Sequence, residues 1–179
     1  MTRKQEIREL LQRLGPAGDR QLGATSWCIS HALELMEANG FQDTLWQASR
    51  DALDYAQGYL AGKGGCEECI SAALLTTPDS MLPGFGQGQV SYLFNKAAHC
   101  LVEAVLRDVN EEYVLDELTD AIDAACSCGN LAQGLVNYEA NGPESRWQIE
   151  YLTDLAETAM AMAGQQTDTQ RDRISLLAK

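Results

Sequence analysis

The sequence predicts an all-α, single-domain bundle of about seven to eight helices, each apolar stripe needing a neighbour to bury against. Three observations carry this. Ala, Leu, Glu and Gln, which lose little freedom in a helix, are plentiful, while the strand formers Val and Ile are scarce. Apolar residues recur at i, i+3, i+4 spacing over most of the chain. Gly and Pro clusters interrupt that pattern, and no linker is long enough to demand a second domain. A chain of 179 residues buries roughly two-thirds of its unfolded surface, so a core of this size needs no disulfide or metal staple.

The first segment, Arg3 to Leu14, sets Ile7, Leu10, Leu11 and Leu14 on one face and stops at Gly15-Pro16, an N-terminal helix and turn over 1–20. A second helix starts at Ser26, carries Cys28, Ala32, Leu35 and Met36 inward, and ends at Asn39-Gly40. Asp43 is placed to cap a third, with Leu45, Ala48, Ala52, Tyr55 and Tyr59 on one face and the Gly62 to Gly65 cluster at its end. Cys66, Cys69, Ile70, Ala73 and Leu74 fit the helical template as far as Thr77, and Pro78 closes that helix. The stretch from Thr77 to Gln89, with two prolines and alternating Gly84, Gly86 and Gly88, reads as a long loop.

Val90, Leu93, Phe94, Ala97, Leu101, Ala104 and Val105 form the strongest apolar stripe, which predicts the central core helix. Asn110 with Glu111 and Glu112 is a good helix start, an oxygen cap followed by two carboxylates near the positive end of the dipole. That helix buries Leu115, Leu118, Ile122 and Ala125 and is expected to end at Gly129 or Asn130, with a separate weak helix over Leu131 to Tyr138. Asn141-Gly142-Pro143 is a turn, and Pro143 suits the first position of a helix that turns Trp147, Tyr151, Leu155, Ala159 and Met162 inward. Beyond Gly164 the polar tail, 165–179, is expected to fray.

The formal charge is −13, from 26 carboxylates against 13 Lys and Arg. Such a surface repels nucleic-acid phosphates and anionic lipid heads, so direct nucleic-acid or membrane binding is a poor expectation and a basic protein partner a better one. The first residues carry charge without an apolar signal core, and no 18-residue apolar run occurs anywhere, which points to the cytoplasm. Six cysteines then read as free thiols in a reducing compartment.

The carboxylates give the clearest pattern. Glu112, Asp116, Asp120 and Asp123 stand at i, i+4, i+8, i+11 and line the helix face opposite Leu115, Leu118 and Ile122. Their own segment offers little Lys or Arg, so like charges repel, and the stripe is expected to be a docking surface for a basic partner. Cys66-Glu-Glu-Cys69 with Cys126-Ser-Cys128 is the alternative, a four-thiolate metal or redox site. Zinc sites more often pair two CxxC knuckles, though, and Cys66 and Cys69 lie on an apolar stripe, so core packing is the better reading and no cofactor is expected. No GxSxG, HExxH or GxxxxGK[ST] is present, and Gly84-Phe-Gly86-Gln-Gly88 lacks the strand and third glycine of a dinucleotide fingerprint, which leaves a catalytic role without support.

Trp27-Cys28, Leu33-Glu-Leu35-Met36-Glu37, Asp43, the alanines 48 and 52, Tyr55-Ala56-Gln57-Gly58 and Ala97-Ala98-His99 follow one another in a spacing that resembles helical bacterial immunity proteins of polymorphic toxin systems. Thr44-Leu45-Trp46 stands where that family often has Arg-Pro-Arg, and Met36 replaces an aromatic. The resemblance covers about residues 27–105 and implies a non-catalytic inhibitor of a toxin. Nuclease toxins are usually basic, so an acidic inhibitor that covers or mimics the substrate site agrees with the charge argument. A phage-encoded inhibitor of a bacterial defence complex would obey the same physics.

Overall fold

Thr2 opens the first helix with a reciprocal cap, its hydroxyl accepting from the Gln5 N–H while the Gln5 side chain accepts from the Thr2 N–H. In the computed structural model the described residues are 2–15, 19–42, 44–76, 87–107, 111–135 and 142–177, with side chains outside the description at 19, 44, 45, 66, 87, 88, 111–113 and 164–177. The described residues form seven helices and no strand: α1 (Arg3–Arg13), α2 (Asp19–Ala38), α3 (Thr44–Leu60), α4 (Cys66–Leu75), α5 (Gln87–Leu106), α6 (Glu111–Ala132) and α7 (Pro143–Leu177). The all-α bundle predicted from periodicity is the fold observed. The proposed caps Asp43 and Asn110 and the loop over 77–86 lie outside the described residues.

The centre of the molecule is the pair α5 and α6. Val90, Phe94, Ala97, Ala98, Leu101, Val102 and Val105 of α5 are all buried, so this helix is covered on nearly every side. Opposite, α6 presents Leu118 and Ile122 together with the small side chains Ala121, Ala124, Ala125, Cys126 and Cys128, and that lets neighbouring helices approach closely. Each fully buried Leu, Ile or Phe here contributes about 1.5–3 kcal/mol relative to leaving it in water. Around this pair, α2 packs on both, α3 on α5, α4 on α3 and α5, α1 on α6, and α7 on α1, α6 and α2.

α5 begins at Gln87, inside the stretch to Gln89 expected as a loop, and three further boundaries differ from the sequence reading, each for a physical reason. α2 begins at Asp19 and not at Ser26. Gln21 breaks the apolar pattern there, yet it is buried, and its Nε2 donates to the Leu11 and Gly15 carbonyls, which satisfies the orphan end of α1. α6 does not stop at Gly129 or Asn130 but continues to Ala132, and no separate helix begins at Leu131; residues 136–141 lie outside the description. Gly129 is in the helix because a neighbour needs the space: a Cβ there would sit 2.5 Å from the Glu144 Cγ. The stop is Gly134, in the left-handed region with φ 78, with its N–H donating to the Leu131 carbonyl. Finally, the backbone of α7 stays helical through Gly164 to Leu177 where a frayed tail was expected. Gly40, in contrast, ends α2 as its sequence suggested, with φ 77 and the Phe41 N–H returning to the Met36 carbonyl.

Candidate functional site

The acidic stripe of α6 has a partner within the chain. Helix α1 runs antiparallel to it and presents Arg3, Lys4 and Arg8 in register: Arg3 Nε to Asp123 Oδ1 at 2.7 Å, Lys4 Nζ to Asp120 Oδ1 at 2.7 Å, and Arg8 to Asp116. The expectation of an unneutralised face is therefore corrected. The cations lie over 100 residues away in sequence, on the outer flank of a helix whose other face buries Ile7, Leu10 and Leu11. Glu112 belongs to α6, but its side chain lies outside the description. Arg3 is the centre of this contact, with its side chain 8% exposed. Besides Asp123 it donates to the Ser145 and Ser127 hydroxyls and the Asp123 carbonyl, so one guanidinium joins α1, α6 and α7. The Lys4 ammonium is held above its ordinary pKa chiefly by its hydrogen bond to Asp120, but it is half exposed, as is Asp116, and such surface pairs contribute little.

A second constellation, which sequence reasoning missed, lies where α2 meets the start of α7. Pro143 takes the first helical position, as expected, and Asn130 of α6 supplies the cap, its Oδ1 accepting from the Glu144 N–H at 3.0 Å. Glu144 thus lies in the first turn near the positive end of the helix dipole, 1% exposed, and accepts from Gln148 Nε2 and from His31 Nδ1 at 2.9 Å. An ionised carboxylate can only accept, and with Glu144 in that form the facing His31 proton is on Nδ1, leaving Nε2 for other contacts. Gln148 is itself buried, donating to the Cys28 carbonyl and accepting from the Cys126 thiol. Every member of this network has a partner, as buried polar groups require.

Above the network the rings gather. His31 stacks flat on Trp147, centroids 3.7 Å apart and 9° between planes, and Trp147 is parallel to Tyr151 at 5.6 Å. Trp27 closes the group at 5.3 Å from Trp147 and 5.4 Å from Tyr151. Burial pushes the Tyr151 hydroxyl up to about 12, so this ring stays neutral. Trp27 is 45% exposed and forms one wall of a cleft of about 380 Å³ that continues between α2 and α7, lined by Ala24, Leu155, Ala159 and Met162, with Leu14 and Arg20 at one end. Such a surface can take an apolar side chain into the cleft and a cation on the open indole face. The Pro143-Glu144 start and the inward Trp147/Tyr151/Leu155 stripe could have pointed here, but no feature of the sequence paired them with Trp27 and His31.

The described thiols of the candidate metal set make separate hydrogen bonds. Cys69 donates to the Tyr55 carbonyl between α3 and α4, Cys126 to Gln148 and Cys128 to the Val90 carbonyl, and the Cys66 side chain lies outside the description. Among the described residues no group of three His, Cys, Asp or Glu is placed to hold a metal ion. Burial raises the Cys28 and Cys128 thiols well above their ordinary value and pushes Cys100 and Cys126 up to about 12, which makes them poor nucleophiles. No helix among the described residues is long and apolar enough to cross a membrane. No known protein family, curated protein or solved structure matches this chain.

Proposed function

We propose that this chain is a non-catalytic, acidic binding protein that inhibits a basic, nucleic-acid-acting protein, in the manner of the immunity proteins it resembles. The observation that supports the reading best is the half-exposed Trp27 with Trp147 and Tyr151 on a chain of net charge −13. Partly exposed Trp and Tyr are the side chains that anchor protein interfaces, and excess carboxylate steers a basic partner while turning away nucleic acid. Because α1 already pairs with Asp116, Asp120 and Asp123, a partner that used the α6 stripe would compete there with Lys4 and Arg8, whereas Trp27 is half exposed beside an apolar cleft.

The test is capture of a partner from native lysate by the tagged chain at low and high salt, followed by assay of the captured protein on nucleic acid with and without this chain. A basic protein bound in one-to-one ratio, released by salt and silenced on binding, is the expected result. A captured protein that keeps full activity, or retrieval of no basic protein, would overturn the reading.

A further inference from the structure

Helices α2 and α7 run antiparallel past one another, since Trp27 meets Trp147 and Tyr151 while His31, one turn on, meets Glu144, one turn back. They leave the cleft of about 380 Å³ as a lengthwise groove, at the small end of the roughly 300–1,000 Å³ pockets that enclose a ligand. A groove this shallow takes side chains from a partner's surface. A lengthwise apolar groove between two antiparallel helices suits a helix laid along it, its apolar residues entering at i, i+3, i+4 intervals.

The charge beside the groove says what the rest of that helix carries. By the 100° step of a helix, Tyr151, Leu155, Thr158 and Met162 share the groove-facing side of α7, and Asp154, Glu150 and Glu157 fall along its adjacent solvent edge, all three exposed. Glu34 is exposed two turns on from Trp27 along the same side of α2. Cations belong to the same surroundings: Arg146, one turn before Glu150 on the same edge, and, at the Met162 end of the cleft, Arg20 and exposed Arg13, which precedes Leu14. The edge as a whole remains acidic, and Arg20 fixes polarity, because a cationic side chain is repelled at that end and favoured at the Trp27 end, where an open indole face also attracts it.

We infer that the α2–α7 cleft is the docking site for a basic amphipathic helix of the inhibited partner, with an apolar anchor between Trp27 and Leu155 and Lys or Arg side chains against Trp27, Asp154 and Glu150. The inference rests on the proposed function and names the surface that performs it. A positively charged amphipathic helix is complementary here both in shape and in sign, and acidic or uncharged helices are not.

The probe is a synthetic helical peptide of Leu and Lys with one apolar face, titrated into the full chain at low salt by calorimetry and tryptophan fluorescence. A Leu/Glu peptide with the same face and a scrambled Leu/Lys peptide serve as comparisons. Saturable one-to-one binding of the first peptide alone is expected, weakened about tenfold or more by Trp27→Ala and, separately, by Asp154→Lys with Glu150→Lys. Trp27 is partly exposed and the two carboxylates are exposed, so the variants are expected to fold, which a urea melt checks. Equal binding by the scrambled peptide, binding indifferent to both variants, or no binding would overturn the inference. If those variants still silence a captured basic partner, the inhibitor reading stands and only the docking surface is wrong; if no basic partner exists, the function itself fails.

Discussion

Arg3 offers the sharpest test of how the bundle is tied together. Its guanidinium is almost wholly enclosed and ties its own helix α1 to two others, bonding Asp123 and Ser127 of α6 and Ser145 of α7. Replacing it with Met keeps the aliphatic stem but leaves the Asp123 carboxylate without its charged partner. Breaking a fully buried pair costs roughly 3–5 kcal/mol. Asp123 is 22% exposed, so water recovers part of its solvation, and Ser145 keeps a donor in Asn130, so the expected loss falls to about 2–3 kcal/mol. For a chain of this size that is a drop of about 5–10 °C in melting temperature. Urea melts of Arg3→Met beside Lys4→Met measure it, since the exposed Lys4–Asp120 pair should be worth less than about 1 kcal/mol. Equal losses in the two variants, or an Arg3→Met loss below about 1 kcal/mol, would refute the claim that this guanidinium is the tie between α1, α6 and α7.

Other perturbations follow from the same contacts. Gly129→Ala puts a methyl against the Glu144 side chain and should cost about 1–3 kcal/mol in a urea melt, where a helix-interior alanine normally stabilises. His31→Ala uncovers one face of Trp147, so the native fluorescence maximum should move to longer wavelength while far-ultraviolet dichroism stays unchanged. In a Cys66→Ser background, the buried thiols should react with an aromatic disulfide reagent at pH 8 only after unfolding. The Cys126 thiol titrates near about 12 when folded against an ordinary value near 9, so between those values the unfolded chain has released a proton that the native chain keeps. Stability should therefore fall as pH rises from about 9, and fall less steeply in Cys126→Ala, as thermal melts across that range would show.

Most of the fold was legible because it depends on local rules. Periodic apolar residues marked the helices, Gly40 their stops and Pro143 a helix start, and these signals act within a turn or two of the backbone. What was not legible depends on contacts between distant segments. The second helix was expected only from Ser26, because the role of polar Gln21 is to satisfy the end of α1, and Gly129 looked like a helix stop because the side chain that needs its space, Glu144, belongs to another helix. The same blindness affected the site. Asp116, Asp120 and Asp123 were correctly placed on one face, but the cations that answer them come from α1, so a stripe that looked free is already engaged. Reversing those three charges would set like charges against Arg3, Lys4 and Arg8 and weaken the seating of α1 as well as alter any interface, which makes that variant a poor probe of binding. Trp27, Trp147 and Tyr151 each looked like packing residues, and only the crossing of α2 and α7 turns them into a surface.

The most direct measurement is hydrogen–deuterium exchange on this chain alone and bound to its captured partner, read peptide by peptide. Added protection in α2 around 20–34 and in α7 around 147–162, with α1 and α6 unchanged, is what the account predicts. Protection centred on 3–8 and 116–123, with α2 and α7 exchanging as in the free chain, would contradict it and return the interface to the acidic stripe.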